Sequence, residues 1–226
     1  MNIILFIVIM INFIFSTKVI EYNVSFYQIP MANVILEFET KNVINKNEVS
    51  LKFETKTNRF ASRIFKVNNT YKTLIKKDSY DILHFSKKTS QPGLYNDLKT
   101  YLLNDKTIYE NSKIEIPKNY FNIFSLLYYL SITPFNLVDS SIKLEREGLL
   151  YICNIEKYET KNENIYNLYF EIIENNNKPI IENTDMFTWA IFKEGSLKEI
   201  RVDKVLKEIN SCKFSTGIST LKAIKK

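Results

Sequence analysis

Apolar and polar residues alternate with a period of two along most of this chain, and in one segment the alternation gives way to a continuous apolar run. In "EYNVSFYQIPMANVILEFET" (21–40), Tyr22, Val24 and Phe26 share one face, and Val34, Leu36 and Phe38 share one face of a return strand hinged at "QIPMAN". A period of two over such lengths predicts strands. The pattern recurs in "EVSLKFETKT", where Val49, Leu51 and Phe53 alternate with Ser50, Lys52 and Glu54, and in "RFASRIFKVN", "YKTLIKK" and "YDILHFSKK". It returns in "GLLYICNIEKYET", "NIYNLYFEIIE" and "DMFTWAIFKEGSLKEIRVDKV", the last with "KEGS" as its hairpin turn. The stretch "SLKEIRVDKVLKEIN" fits neither the strand nor the helix period cleanly, and its first half reads as strand. Connectors rich in Asn, Lys and Asp, and the Pro-Gly turn of "SQPGLYND", join these strands into a meander.

The exception is "YFNIFSLLYYLSITPF", whose apolar residues from Tyr120 to Leu130 cover every side of a helical wheel. Asn119 or Asn122 serves as its cap and Pro134 as its stop. A helix apolar all round must be buried, and this one is far too short to span a bilayer. The expected fold is therefore mainly β: a curved antiparallel sheet, as a barrel or half-barrel, wrapped around one short apolar helix. A chain of 226 residues can bury a continuous core, and without an internal repeat or visible boundary, residues 17–226 read as one domain.

The first sixteen residues, "MNIILFIVIMINFIFS", carry no charge, and the run from Ile3 to Phe15 has the length of a signal-peptide core. Export with cleavage after Ser16, leaving Thr17 first, is the expectation. The n-region lacks Lys or Arg, and Lys18 lies just beyond the core. An uncleaved anchor is the second reading and a buried strand the third. Cys153 and Cys212 are the only thiols. Export would let them form a disulfide, and two separate buried thiols are the plainer reading.

Thirty-one Lys and Arg against 25 Asp and Glu give a net charge of +6. The cations are scattered, so nucleic-acid binding is not expected, whereas attraction to anionic envelope lipids fits. His84, the single histidine, lies in a strand beside Phe85, which rules out a His-rich metal site; neither metal nor cofactor is expected. The carboxylate pairs Glu37/Glu39 and Glu145/Glu147 read as solvated strand faces, because catalytic pairs need a fixed separation across a cleft. Four dispersed glycines cannot build a phosphate-cradling loop. An aromatic stripe through Tyr120, Phe121, Phe124, Tyr128 and Tyr129, with Phe187 and Trp189, is either core or the wall of an apolar groove. In the groove reading Tyr120, Phe124, Tyr128, Phe187 and Trp189 bind the ligand.

The order of these elements resembles the exported bacterial domain-of-unknown-function family 3108. "YNVSFYQIPMANVILEF" follows that family's opening strand without its glycines. "IEIPKNYFNIFSLLYYLS" matches its middle landmark through Ile116, Pro117, Ser125, Tyr128 and Leu130, with Asn122 and Ser131 in place of an acidic residue and an Arg. "FTWAIFKEGSLKEIRV" echoes a closing tryptophan strand with Trp189 and Lys198, and Glu199 stands where Pro is usual. The resemblance implies a barrel-like envelope domain with no established activity, similar in shape to periplasmic lipoprotein and lipid carriers. The expected role is a noncatalytic periplasmic or envelope protein that binds or shuttles a lipid or acylated protein. The alternative is an assembly factor with a filled core and an envelope protein partner.

Overall fold

The computed structural model describes residues 16–43, 46–110, 112, 114–173, 178–216 and 219–226, so the apolar segment read as an export signal lies, but for Ser16, outside the described residues. The first half of the meander comprises β1 (Ser16–Phe26), β2 (Ile29–Val43), β3 (Lys46–Thr57), β4 (Asn68–Lys76), β5 (Ile82–Gln91), β6 (Leu94–Leu103), β7 (Lys106–Tyr109) and β8 (Glu115–Pro117). The second comprises β9 (Ser141–Arg146), β10 (Leu149–Glu159), β11 (Glu163–Ile172), β12 (Leu197–Asp203), β13 (Ile209–Thr216) and β14 (Ser219–Lys225). Every strand pairs antiparallel with its sequence neighbour, except that β8 does not pair with β9. β1 also pairs with β14, through Val24 opposite Ala223 and Phe26 opposite Leu221. The result is one antiparallel 14-stranded sheet curled into a nearly closed barrel whose edges are β8 and β9.

The chain itself bridges those edges. Past β8, Phe121 pairs in parallel with Leu144 of β9: the Phe121 amide donates to the Lys143 carbonyl at 2.9 Å, and the Glu145 amide donates to the Phe121 carbonyl at 2.8 Å. The seam then delivers helix α1 (Ile123–Ile132) into the interior. Asn122, extended, accepts from the Ser125 amide, and the Ser125 hydroxyl accepts from the Asn122 amide, a reciprocal cap. Thr133 ends the helix ahead of Pro134. Residues 123–131 are all buried. The Phe124 ring, 2% exposed, lies 4.5 Å from Phe53 and 4.8 Å from Tyr71, centroid to centroid. Inward-facing residues of alternate strand positions, such as Leu36, Leu51 and Ile75, complete the core. The helix is shorter at its start than the apolar run suggested because Tyr120 and Phe121 are spent on the seam.

Three local expectations are corrected. The first hairpin turns at Tyr27–Gln28, both at positive φ as a two-residue primed turn needs, so only the first residue of "QIPMAN" belongs to the hinge. Pro30 instead sits opposite Ser25 beside a bulge, where a ladder tolerates proline. "RFASRIFKVN" is no strand until Asn68. The Asn58 side chain captures the Ala61 amide at 2.8 Å and starts a 3₁₀ turn at Ala61–Arg63. "DMFTWAIF" is the helix α2 (Met186–Phe192), not a tryptophan strand; Asp185 caps it, and Thr188, Ile191 and Phe192 are buried at helical spacing. Over seven residues the apolar pattern does not separate the two periods. The first half of "SLKEIRVDKVLKEIN" is strand, as β12, and Cys153 and Cys212 are separate, buried and unbridged.

Because the buried Phe124 ring packs against the rings of Phe53, Tyr71, Phe85 and Phe187, Phe124→Asp is expected to cost ~3 to 5 kcal/mol. Thermal melting without added lipid checks this. Coincident wild-type and variant curves would contradict a helix that works as the core.

Candidate functional site

Ten helical residues do not fill the barrel, and an apolar cavity of about 200 Å³ remains between α2 and the sheet. Val24, Ala32 and Leu221 wall it from the strands, Phe65 and Val67 from the loop before β4, and Met186 and Phe187 from α2; the atoms facing it are almost all carbon. A smaller space of about 70 Å³ shares Phe26, Met186 and Leu221 with it and opens beside Trp189 and Lys193. The Lys193 ammonium lies 4.7 Å above the Trp189 ring. The two spaces follow the underside and flank of α2.

The five residues expected to bind a ligand do not meet at one site. Phe187 lines the large cavity and stacks on Phe124, centroids 6.3 Å apart. Trp189, 46% exposed, lines the small one. Phe124 and Tyr128 are packed interior. Tyr128 rests against Phe38 and Tyr80, and burial pushes its hydroxyl up to about 12. Tyr120 sits at the seam under the Lys143 ammonium, 5.7 Å from its ring centroid. The groove therefore belongs to α2, not α1. His84 is exposed on β5.

Sequence reading also missed a buried ionic cluster that holds α2 in place. Lys87 on β5, 1% exposed, pairs with Asp185 at 2.6 Å and with Glu147 in close contact. It also donates to the Thr184 hydroxyl at 2.9 Å. Asp185 accepts from the Tyr71 hydroxyl at 2.6 Å and the Thr188 hydroxyl at 2.7 Å. Burial works against its ionisation, but the Lys87 charge and these donors outweigh it and hold the carboxyl below its ordinary range. Asn69 donates to Tyr71 at 3.2 Å and lines the cavity, which joins cluster to cavity wall. At the far end of α2, the buried Lys198 ammonium donates to the Ser196 and Lys193 carbonyls at 3.0 and 3.3 Å, and burial lowers its pKa.

Glu145 and Glu147 are not solvated: each is 3% exposed. Glu147 and Gly148 form the β9–β10 turn at positive φ. The turn folds inward, and a side chain at Gly148 would meet Ile180 at 3.2 Å and Ile114 at 3.3 Å. Tyr109 on β7 donates to Glu145 across the seam, and its hydroxyl accepts from the Gly148 amide at 3.1 Å. Lys87 was legible in one respect, since alternation from the buried Phe85 points it inward. Nothing local marks the glutamates, because Leu144 and Glu145 are both buried and alternation fails at the seam.

Burial is the largest influence on Glu145 and, with the Glu147 charge, outweighs the Tyr109 hydrogen bond, so the carboxyl rises from 4.5 to about 7. A carboxyl whose folded pKa is raised contributes stability that is full below the unfolded value and lost as pH rises through the folded one. Across that window the loss amounts to ~3 kcal/mol. Denaturant unfolding at about pH 5 and about pH 8 should show this loss in the wild type and not in Glu145→Gln, which stays neutral throughout. Parallel pH profiles for the two proteins would refute a raised Glu145.

The family model for proteins of unknown function DUF3108 matches residues 21–136, just over half of the chain. That span holds the opening hairpin and the Ile116-to-Leu130 landmark; the Trp189 segment, where the structure has α2, falls outside it. No curated protein matches the chain. Among solved structures it is similar to a β-barrel-like protein of domain of unknown function DUF1849 from Brucella abortus, at 9% identity and a TM-score of 0.51, over 93% of this chain and 95% of the other. At that identity the likeness concerns the barrel-like fold alone. Hairpin, threaded helix and family match agree, and the chain belongs to the DUF3108 family of proteins of unknown function.

Proposed function

We propose that this is an exported, noncatalytic protein of the bacterial envelope that takes up the end of an acyl chain, carried by a lipid or an acylated protein, in the cavity beneath α2. The observation that carries this reading is a space of about 200 Å³ faced almost wholly by carbon. A dry apolar cavity of about 150 Å³ accepts a benzene-sized ligand, while sites for drug-sized molecules begin near about 300 Å³. The cavity therefore suits a chain terminus and not a whole lipid, whose remainder would leave past Phe26 and Trp189. Each buried methylene contributes about 0.8 kcal/mol, so a few suffice for reversible holding. The cavity wall offers no charged side chain to a substrate, which supports a binding role over a catalytic one. Export and a periplasmic or envelope location rest on the charge-free opening run.

Native mass spectrometry of gently purified protein is expected to show adducts with the masses of acylated molecules. Ala32→Phe, which fills the cavity from its wall, should weaken binding of cis-parinaric acid at least tenfold while leaving the melting temperature within a few degrees. Retained binding in that variant would move the ligand elsewhere. A clean apo mass together with no parinaric acid binding would favour an assembly factor with a filled core.

Intact mass of protein recovered from the envelope fraction should place the N-terminus near Thr17. An intact Met1 on membrane-bound material would reverse the export reading.

A further inference from the structure

The end of the barrel at which the cavity opens carries large apolar side chains in water. Phe26, Tyr27 and Ile29 project at the β1–β2 hairpin tip, Phe60 (63% exposed) and Ile64 (78%) from the loop before β4, and Trp189 from α2. They belong to one rim. The Tyr27 amide donates to the Thr220 carbonyl at 3.1 Å, which ties the hairpin tip to the β13–β14 hairpin. Asn58 donates to the Met31 carbonyl at 2.9 Å through its amide and to the Pro30 carbonyl at 2.6 Å through its side chain, which ties the loop to the start of β2. Scattered exposed apolar residues need no explanation, but a contiguous set does.

Charge identifies what the rim meets. The loop of residues 58–67 carries Arg59, Arg63 and Lys66 and no carboxylate. All three are exposed, and none forms an ion pair among the described residues. Elsewhere on the surface many lysines do have carboxylate partners, as in Lys52 with Glu37 and Glu54, Lys106 with Glu115 and Lys204 with Glu159. Unpaired cations interleaved with Phe60 and Ile64, next to a Trp under a Lys, match an interface with acyl tails below and anionic headgroups above. A protein partner buried against this loop would have to supply carboxylates on an apolar surface; an anionic bilayer presents both at once.

We infer that the 58–67 loop, with the β1–β2 hairpin tip and Trp189, docks the open end of the barrel onto an anionic phospholipid bilayer. This rests on the cavity reading for its purpose, since docking would place the mouth at the level of the acyl chains, but its test is separate.

The test is sedimentation of the purified protein with vesicles of phosphatidylcholine alone and of phosphatidylcholine containing a third of phosphatidylglycerol. Wild type should partition into the anionic vesicles far more strongly. Arg59→Gln with Arg63→Gln and Lys66→Gln should reduce that partition about fivefold per cation, on the order of a hundredfold in all. Phe60→Ser with Ile64→Ser should reduce partition into both vesicle types. None of these side chains lines the cavity, so melting temperature and parinaric acid binding should stay unchanged. Every variant carries the same N-terminus as wild type, so any difference belongs to the loop. Equal wild-type partition into neutral and anionic vesicles, or variants that bind like wild type, would overturn the inference. A lipid-free dimer in light scattering that Phe60→Ser with Ile64→Ser abolishes, with no vesicle binding, would assign the rim to a second copy and also overturn it. Vesicle binding without parinaric acid binding would instead remove the cavity reading and leave the docking surface standing.

Discussion

A lysine ammonium taken out of water costs several kcal/mol unless opposite charges come with it, and Lys87 is met by two. Glu147 arrives from the β9–β10 turn and Asp185 from the start of α2, so one buried cation draws together the wall of the first half of the barrel, the far edge of the second, and the helix over the cavity. Loss of Lys87 would leave two buried carboxylates without their cation, which is why such a cluster orders the segments that bring it even when its net contribution to stability is small. Glu147 accepts a positive φ to be there. Tyr109 and Glu145 repeat the arrangement one turn away, with a phenol and a carboxyl in place of two charges.

The seam explains why such a cluster exists. A sheet whose edges do not meet leaves unpaired backbone groups, and natural barrels cover or pair them. Here residues 118–121 do so in part through Phe121 and Leu144, and the polar side chains of β5, β7 and the β9–β10 turn span what remains. The same chain segment carries α1 inside. Ten residues of helix extend about 15 Å, whereas an eleven-residue strand such as β1 extends about 36 Å. A plug of that length fills the middle of the barrel and leaves an end open. α2, held by Asp185 at one end and Lys198 at the other, roofs that end without filling it.

Fold class was legible because period two in "NVILEF" or "SLKFET", and its absence in "IFSLLYYL", are local statements about which side of the backbone is apolar. The α1 cap at Asn122 and its stop before Pro134 were readable for the same reason. Errors fell where a flanking side chain, itself held by partners far away in sequence, decided the outcome. Asn58 turned "RFASRIF" into a 3₁₀ turn, and Asp185 with its Lys87 partner turned "MFTWAIF" into a helix. The aromatic stripe was found, but its members are divided among the core, the seam, the cavity wall and solvent.

Sequence alone thus determined a mainly β chain with one buried helix, because burial follows from the pattern of residues one to four positions apart. Only the tertiary structure decided where that burial was incomplete and where charge was enclosed. Glu145 and Glu147 look like surface carboxylates until the seam closes over them, and Lys87 like one of many scattered lysines until two acids meet it. The cavity is likewise a property of the gap between elements far apart in sequence, Val24, Val67, Phe187 and Leu221 among them. A volume left between packed surfaces is set by how they meet, and no local pattern records it.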